Sequence, residues 1–333
     1  MQNSVEELQD TGASVQAAKK DDQSQPFVSV FMSVYNGGDY LADAVESVLN
    51  QTYQNYEFII VNDGSKDGTA DYLDALKDER IKVIHQENQG LGKPLNKWMR
   101  TCEGKYVMRL DADDICHETR MQKQVEFLEA NPEVILVGSQ IQMFSEKGKG
   151  SVSSLFTDHE SILGGMLNGW HTQSHPTIMW RRTLLNHIPG YAFSGAGEDW
   201  SFLLDAARFG KLANHPDVLY YYRLHGASNA WKGAKRVQAG LTYAIRRYEL
   251  FIKTGEEYPL DDFMKEWNQR SLIKVLNTEL QAMSAVLYRK AMLDNMEGRK
   301  VPYFARLGMA ALLDPAKTVG AIRKKLKVKV RSS

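Results

Sequence analysis

Apolar residues fall in short runs through the first half of the chain, and each run ends in a polar or glycine-rich cluster. Phe27–Val34 carries Val28, Val30, Phe31 and Val34 and predicts a buried strand, followed by a turn at Tyr35-Asn36-Gly37-Gly38. Asp39 is placed to cap a helix carrying Leu41, Val45, Val48 and Leu49. Phe58–Val61 predicts a second buried strand, ended by Asn62-Asp63-Gly64-Ser65. A helix over Thr69–Leu76, a strand over Ile81–Ile84, a helix over Pro94–Arg100 and a strand over Tyr106–Leu110 follow. Met121–Ala130 predicts a helix stopped at Asn131-Pro132, and Val134–Val137 predicts another strand. Strands alternating with helices of ~10 residues predict an α/β fold, a mainly parallel sheet with helices on both faces. Ligands of such sheets collect beyond the carboxyl ends of the strands. The clusters at 35–39, 62–67 and 111–114 are therefore expected to converge on one crevice.

Strand patterns stop near residue 231. Val237, Leu241, Ala244, Ile245, Tyr248 and Phe251 keep a helical period, as do Phe263, Trp267, Leu276, Leu280 and Met283. The chain is expected to divide into a flexible polar leader (1–25), an α/β domain (26–230), a helical appendage (231–313) and a basic tail (314–333). Asp314-Pro315 reads as a helix start, with Val319, Ile322 and Leu326 at helical spacing beyond it. Lys317, Arg323, Lys324, Lys325, Lys327, Lys329 and Arg331 fill the tail, and no acidic residue follows Asp314. Such a helix is expected either to pack on the body or to lie on anionic lipid, attaching the protein to a membrane surface without a span.

Composition narrows the class. Apolar residues make up 43% of the 333, enough for a sizeable core, and 41 basic side chains balance 41 acidic ones. That balance argues against nucleic acid as the partner. The two cysteines, Cys102 and Cys116, suit neither a disulfide framework nor a zinc site, so a reducing, cytoplasmic setting is expected. No run approaches the ~18 apolar residues of a membrane span, and the first residues show no secretory pattern.

The candidate chemistry is acidic. Asp111, Asp113 and Asp114 crowd the end of a buried strand, where mutual repulsion needs a cation or donors to offset it. The cluster reads either as a solvated turn or as a hard-oxygen site for Mg²⁺ or Mn²⁺. Asp63 can accept N–H groups from a nucleobase or cap its own turn. Gly197-Glu198-Asp199-Trp200 opens a helix, so its carboxylates either favour the helix dipole or present a general base at the lip of a cleft. His225 ends a strand beside the acidic crevice and can ligate metal. His171 and His175 are not a zinc pair, since no Glu lies between them and Pro176 disfavours a helix there. The Gly90-Leu91-Gly92 segment lacks the third glycine of a dinucleotide fingerprint, and no Walker loop is present.

Six segments in order resemble the inverting, metal-dependent glycosyltransferases of family 2. They are Val28–Asn36, Ile60–Ser65, Asn88–Leu91, Leu110–Asp114, Gly197–Trp200 and Tyr222–His225, within residues 27–228. The resemblance implies a GT-A fold and a nucleotide-sugar donor, with UDP favoured. It implies that Asp63 reads the base, that Ser33, Tyr35 and Asn36 pack around the nucleoside, and that Asp111 lies near the ribose. Asp113 would bind the divalent metal with His225 as a second ligand, and Asp199 would be the catalytic base. Ser33 and Asn62 depart from the family's usual Pro and Asp. Charge and position add Lys93 as a group facing the diphosphate, and His175, Glu198 and Trp200 are expected on the acceptor side. The acceptor expected by resemblance is a glycan or lipid-linked hydroxyl in bacterial surface-polysaccharide assembly. A nucleotidyltransferase would want a basic loop where Tyr35–Asp39 stands, and a non-catalytic sugar- or nucleotide-binding module would leave Asp111, Asp113, Asp199 and His225 without a purpose.

Overall fold

Alternate residues of β1 (Val28–Val34) enter opposite layers, and neighbouring strands follow the same alternation. Val28, Val30, Met32 and Val34 join Phe58 and Ile60 of β2 (Tyr56–Asp63) in one buried cluster. Phe31, Ile59 and Val61 join the other. The computed structural model describes residues 25–90, 96–191, 197–225 and 234–315. The leader to residue 24, Lys93 and the tail from residue 316 lie outside the described residues.

The first layer is closed by α1 (Leu41–Leu49) and α3 (Arg120–Ala130), through Leu41, Val45 and Val48 and through Met121, Val125 and Leu128. Between them in the chain come α2 (Thr69–Ala75), β3 (Ile81–Gln86), β4 (Tyr106–Arg109) and the short β5 (Ile115–Cys116). Beyond α3 run β6 (Val134–Ser145), β7 (Gly148–Val152), α4 (His159–Leu167), β8 (Met179–Arg181), α5 (Glu198–Ala206) and β9 (Lys211–Arg223). The second layer is closed by α4 and α5, with Ile162, Met166, Phe202 and Leu203 among its buried residues.

The sheet order is β3-β2-β1-β4-β8-β6-β9-β5, with β7 paired to β6. The strands read from the first 110 residues are parallel: β1 with β2 and β4, and β2 with β3. The remainder is mixed. β8 is antiparallel to both β4 and β6, β5 is antiparallel to β9, and β6 and β9 are parallel. The carboxyl ends of β1, β2 and β4 lie together, as the alternation implies.

Three local expectations change. The strand expected over Val134–Val137 runs on to Ser145, because its polar residues are buried or half-buried and satisfied: Gln140 Nε2 donates to the Leu155 carbonyl at 3.0 Å and Gln142 Nε2 to that of Gly150 at 2.7 Å. Asp39 does not cap α1; it sits in a 3-10 turn over Gly38–Tyr40, and no side-chain cap bond is made. The segment expected as a helix over Pro94–Arg100 is described only from Asn96, and ends in a 3-10 turn at Met99–Thr101.

Helices α6 (Ala234–Thr254), α7 (Leu260–Asn268), α8 (Leu272–Met296) and α9 (Lys300–Leu313) complete the described chain. A buried ion network fastens α6 to the far end of α5. Asp205 accepts from Arg208 at 3.0 Å and Arg247 at 2.5 Å, and Glu257 accepts from both arginines. That network fixes the helix whose first turn carries Glu198 and Asp199. Asp294, fully buried, holds Arg299 and Arg306 and so closes the α8–α9 hairpin. Among the described residues no helix is long and apolar enough to cross a membrane.

Candidate active site

The loops after β1 and β2 are tied to each other before any ligand is considered. Asn36 adopts a left-handed backbone with φ 52°. Its N–H donates to Ser65 Oγ at 2.9 Å, and its Oδ1 accepts from the Lys66 N–H at 2.8 Å. Gly64 has φ 72°, and a Cβ there would come within 2.6 Å of the Asn88 nitrogen, so only glycine fits this close approach. Asp63, 3% exposed, accepts from Gln86 Nε2 at 2.6 Å and from the N–H groups of Gln89 and Gly90 at 3.0 Å each. A carboxylate offers about four acceptor positions, so one more donor can still be taken. Asn62, at the position where the resemblance would put Asp, accepts at Oδ1 from the Ser65 N–H, and its Nδ2 lies 3.0 Å from His85 Nδ1. Ser33 is half-buried at the end of β1, and Tyr35 stands 48% exposed at the rim.

The three carboxylates after β4 have ligating atoms within 4.8 Å of one another, and the structure gives each a separate task. Asp111 accepts from Arg109 Nη2 at 2.8 Å. Asp114 is buried, with Oδ2 accepting from the Tyr220 hydroxyl at 2.9 Å and Oδ1 from the Arg223 N–H at 2.7 Å. Burial and the two neighbouring carboxylates push its carboxyl well above the usual range. Asp113 remains 40% exposed, and its Oδ2 lies 3.0 Å from His225 Nε2. Arg223 frames this pair, bonding the Asp113 carbonyl at 2.9 Å and Asp43 at 2.7 Å while stacking over Tyr40.

The Asp113–His225 pair fits a divalent cation. The carboxylate oxygen suits either Mg²⁺ or Mn²⁺, and the imidazole nitrogen favours the transition metal of the two.

On the other side of Asp111, the first turn of α5 brings Glu198 and Asp199. Gly197 enters the helix at φ 97° and supplies no side chain to cap it. Asp199 Oδ1 accepts from the Trp200 N–H at 2.9 Å. Burial raises the Asp199 carboxyl above its usual range and pushes Glu198 up to about 7. Glu198 Oε2 is buried without a hydrogen-bond partner among the described residues. His175 Nε2 lies 2.9 Å from the Tyr191 hydroxyl, and burial holds its imidazole far below its usual range, hence neutral. Pro176 permits only a 3-10 turn through it, over His175–Thr177. Trp200, 2% exposed, packs its indole in the second core layer.

The residue the sequence reading passed over is Arg109. Its guanidinium is within electrostatic reach of Asp111, Tyr191, Glu198 and Asp199, and so couples the acidic loop to the first turn of α5. A second buried guanidinium, Arg120, bonds the Arg109 carbonyl at 2.8 Å and lies over the Tyr220 ring. These two cations offset the repulsion that the three carboxylates imply. The signal was present as a basic residue inside an otherwise apolar strand end, Tyr106-Val107-Met108-Arg109.

Residues 29–192 match the profile of Glycosyl transferase family 2. An uncharacterised glycosyltransferase of Haemophilus influenzae is 35% identical over 252 residues, which cover 68% of this chain and 77% of that protein. Another, from Rickettsia felis, is 37% identical over 219 residues, but this chain spans only 36% of its length. Among solved structures, Staphylococcus aureus TarS 1-349 in complex with UDP-GlcNAc superposes with TM-score 0.59 at 16% identity, covering 88% of this chain and 92% of that one. The mannosyltransferase PcManGT of Pyrobaculum calidifontis, in complex with GDP-Man and Mn²⁺, gives 0.53 at 18% identity, covering 88% and 86%. The mixed sheet and its flanking helices thus have the GT-A fold, and the chain belongs to glycosyl transferase family 2 and is a glycosyltransferase.

Proposed function

We propose that this glycosyltransferase moves a sugar, with inversion, from a nucleotide-diphosphate donor to a hydroxyl of a glycan or lipid-linked acceptor, using Mn²⁺ or Mg²⁺. The observation that carries the reading is the pairing of Asp113 with His225 at 3.0 Å, in a crevice where Arg109 links Asp111 to the carboxylate of Asp199. UDP is the favoured nucleotide, supported by the UDP-GlcNAc held by TarS; the GDP-Man of PcManGT keeps GDP in the panel. Bacterial surface polysaccharide is the favoured setting, supported by similarity to a Bacillus subtilis protein that bears the name of a teichuronic acid biosynthesis glycosyltransferase, TuaG.

Asp63 takes one base N–H at its remaining acceptor position, while Ser33, Tyr35 and Asn36 enclose the nucleoside and Asp111 meets the ribose. Asp113 and His225 would hold the cation, which would supply stabilisation of negative charge on the departing diphosphate. Asp199 Oδ1 is engaged by the Trp200 N–H, which leaves Oδ2 to take the acceptor proton. A carboxyl raised by burial is a stronger base once ionised, and a positioned base contributes ~10²–10⁴-fold in rate, or ~3–5 kcal/mol of barrier. Attack from the face opposite the departing diphosphate turns an α-linked donor into a β-linked product. The tail after Asp314 is read as a headgroup-seeking segment that keeps the enzyme at the cytoplasmic face of a membrane.

Incubation with Mn²⁺, a panel of nucleotide sugars and polysaccharide or lipid-linked acceptors, with nucleotide release measured, tests the reading. Acceptor-stimulated release supports it. Pyrophosphate release from nucleoside triphosphates would replace it with nucleotidyl transfer, and binding without turnover with a binding module.

A further inference from the structure

Helix α9 is apolar on the side turned away from the protein. Its inward side includes Ala310, whose carbonyl accepts from Ser284 Oγ at 2.8 Å, and Arg306, which pairs with buried Asp294. Its outward side is Val301, Phe304, Ala305, Gly308, Met309 and Leu312, all exposed and spaced as one helical face. Val301 is 81% exposed, Phe304 65%, Met309 53% and Leu312 81%. Of the charged residues in this helix, only Lys300 is exposed on that face. A helix at a protein surface ordinarily turns polar residues outward, and a contiguous apolar outward face marks a surface that something covers.

Charge indicates what covers it. From Arg299 to Ser333 there are 10 basic residues and 1 acidic one, so the first 298 residues carry nine net negative charges and the last segment nine positive. A second copy seated on α9 would bring two such segments together. A surface of acidic lipid headgroups would neutralise them and accept the apolar side chains. We propose that the outward face of α9 docks into the interfacial region of an anionic bilayer, with Phe304 and Leu312 inserted. The proposal rests on reading the tail as headgroup-seeking, and not on the transfer chemistry.

The test uses the full chain and vesicles of phosphatidylglycerol with phosphatidylcholine, or of phosphatidylcholine alone. Co-sedimentation is expected with the anionic vesicles, weakening with salt. Phe304→Ser with Leu312→Ser, the tail untouched, is expected to lower the partition coefficient at least ~tenfold. Both side chains are exposed, and an unchanged melting temperature checks the fold. A polarity-sensitive dye on Phe304→Cys is expected to report transfer to an apolar medium only when anionic vesicles are added. Unchanged binding of the double variant, with loss only on Lys324→Glu and Lys325→Glu, would leave attachment to the tail and overturn the docking face. A dye already shielded without lipid would overturn it in favour of the tail folded over α9. Concentration-dependent dimers that the double variant abolishes would overturn it in favour of a second copy.

Discussion

His225 Nε2 lies 3.0 Å from Asp113 Oδ2, although 112 residues separate them in the chain. The contact depends on β9 and the loop after β4 reaching the same edge of the crevice, where the Arg223 N–H clamps Asp114. We predict that Asp113→Ala abolishes metal-dependent transfer with the fold intact, because its removal relieves crowding with Asp111 and Asp114. His225→Ala should weaken Mn²⁺ binding ~10-fold or more, as loss of one ligand or its support does at other metal sites. Titration calorimetry with Mn²⁺ and nucleotide reads both. Undiminished Mn²⁺ affinity in the two variants would remove the metal assignment.

Asp199→Asn keeps the shape of the side chain and the acceptor for the Trp200 N–H but cannot take a proton. The expected result is donor affinity within a few-fold of wild type and turnover lower by ~10² or more. Single-turnover kinetics at saturating acceptor measure it. If turnover is near normal, the base lies elsewhere, and Glu198 is the next carboxyl in the same helical turn.

What could be read from the sequence was what local pattern encodes. The strands β1, β2 and β4 and the acidic and amide-rich loops at their ends announced themselves through short apolar runs cut by polar clusters. The second half of the sheet did not, because its pairing is set by distant partners. β8 has only three residues and is defined by β4 and β6 on either side, while β6 continues through Ser139, Gln140 and Gln142, whose polar side chains are satisfied inside the protein. Trp200 follows two carboxylates, and the packing of its indole in the second layer is set by residues distant in the chain. Arg109 escaped notice because a charge at a strand end reads as solvated, whereas its side chain is only 11% exposed and stands between two acidic groups of the crevice.

Glu198 gives a pH-dependent test of that crevice. Its folded-state value of about 7 lies above the ordinary 4.5, raised first by burial and then by the Asp199 charge. The folded protein therefore holds this proton more tightly than the unfolded chain. The group's contribution to stability is fully present below pH 4.5 and is lost as pH rises through about 7. Glu198→Gln removes the titration. Melting temperatures at pH 5 and pH 7.5 should differ less in the variant than in wild type. An equal difference in both proteins would mean that Glu198 titrates as an ordinary exposed carboxyl.

Arg109 supplies the last test, since one guanidinium bonds Asp111 at 2.8 Å and faces Glu198 and Asp199. Arg109→Met keeps most of the volume and removes the charge. Asp111 is then left beside Asp113 and Asp114 with Arg120 as its remaining nearby cation. Because Asp111 is still a third exposed, water recovers part of the loss, and destabilisation of ~1–3 kcal/mol is expected rather than the full cost of a buried orphan charge. Arg109→Lys restores charge but not the planar fork that orients the carboxylate. Its stability should approach wild type while its KM for the donor stays raised, because Asp111 is no longer aimed. Urea unfolding and donor KM, measured on both variants, separate the two effects. Wild-type stability in Arg109→Met would show that the acidic loop does not depend on this cation, and wild-type KM in Arg109→Lys would show that aiming Asp111 is not its task.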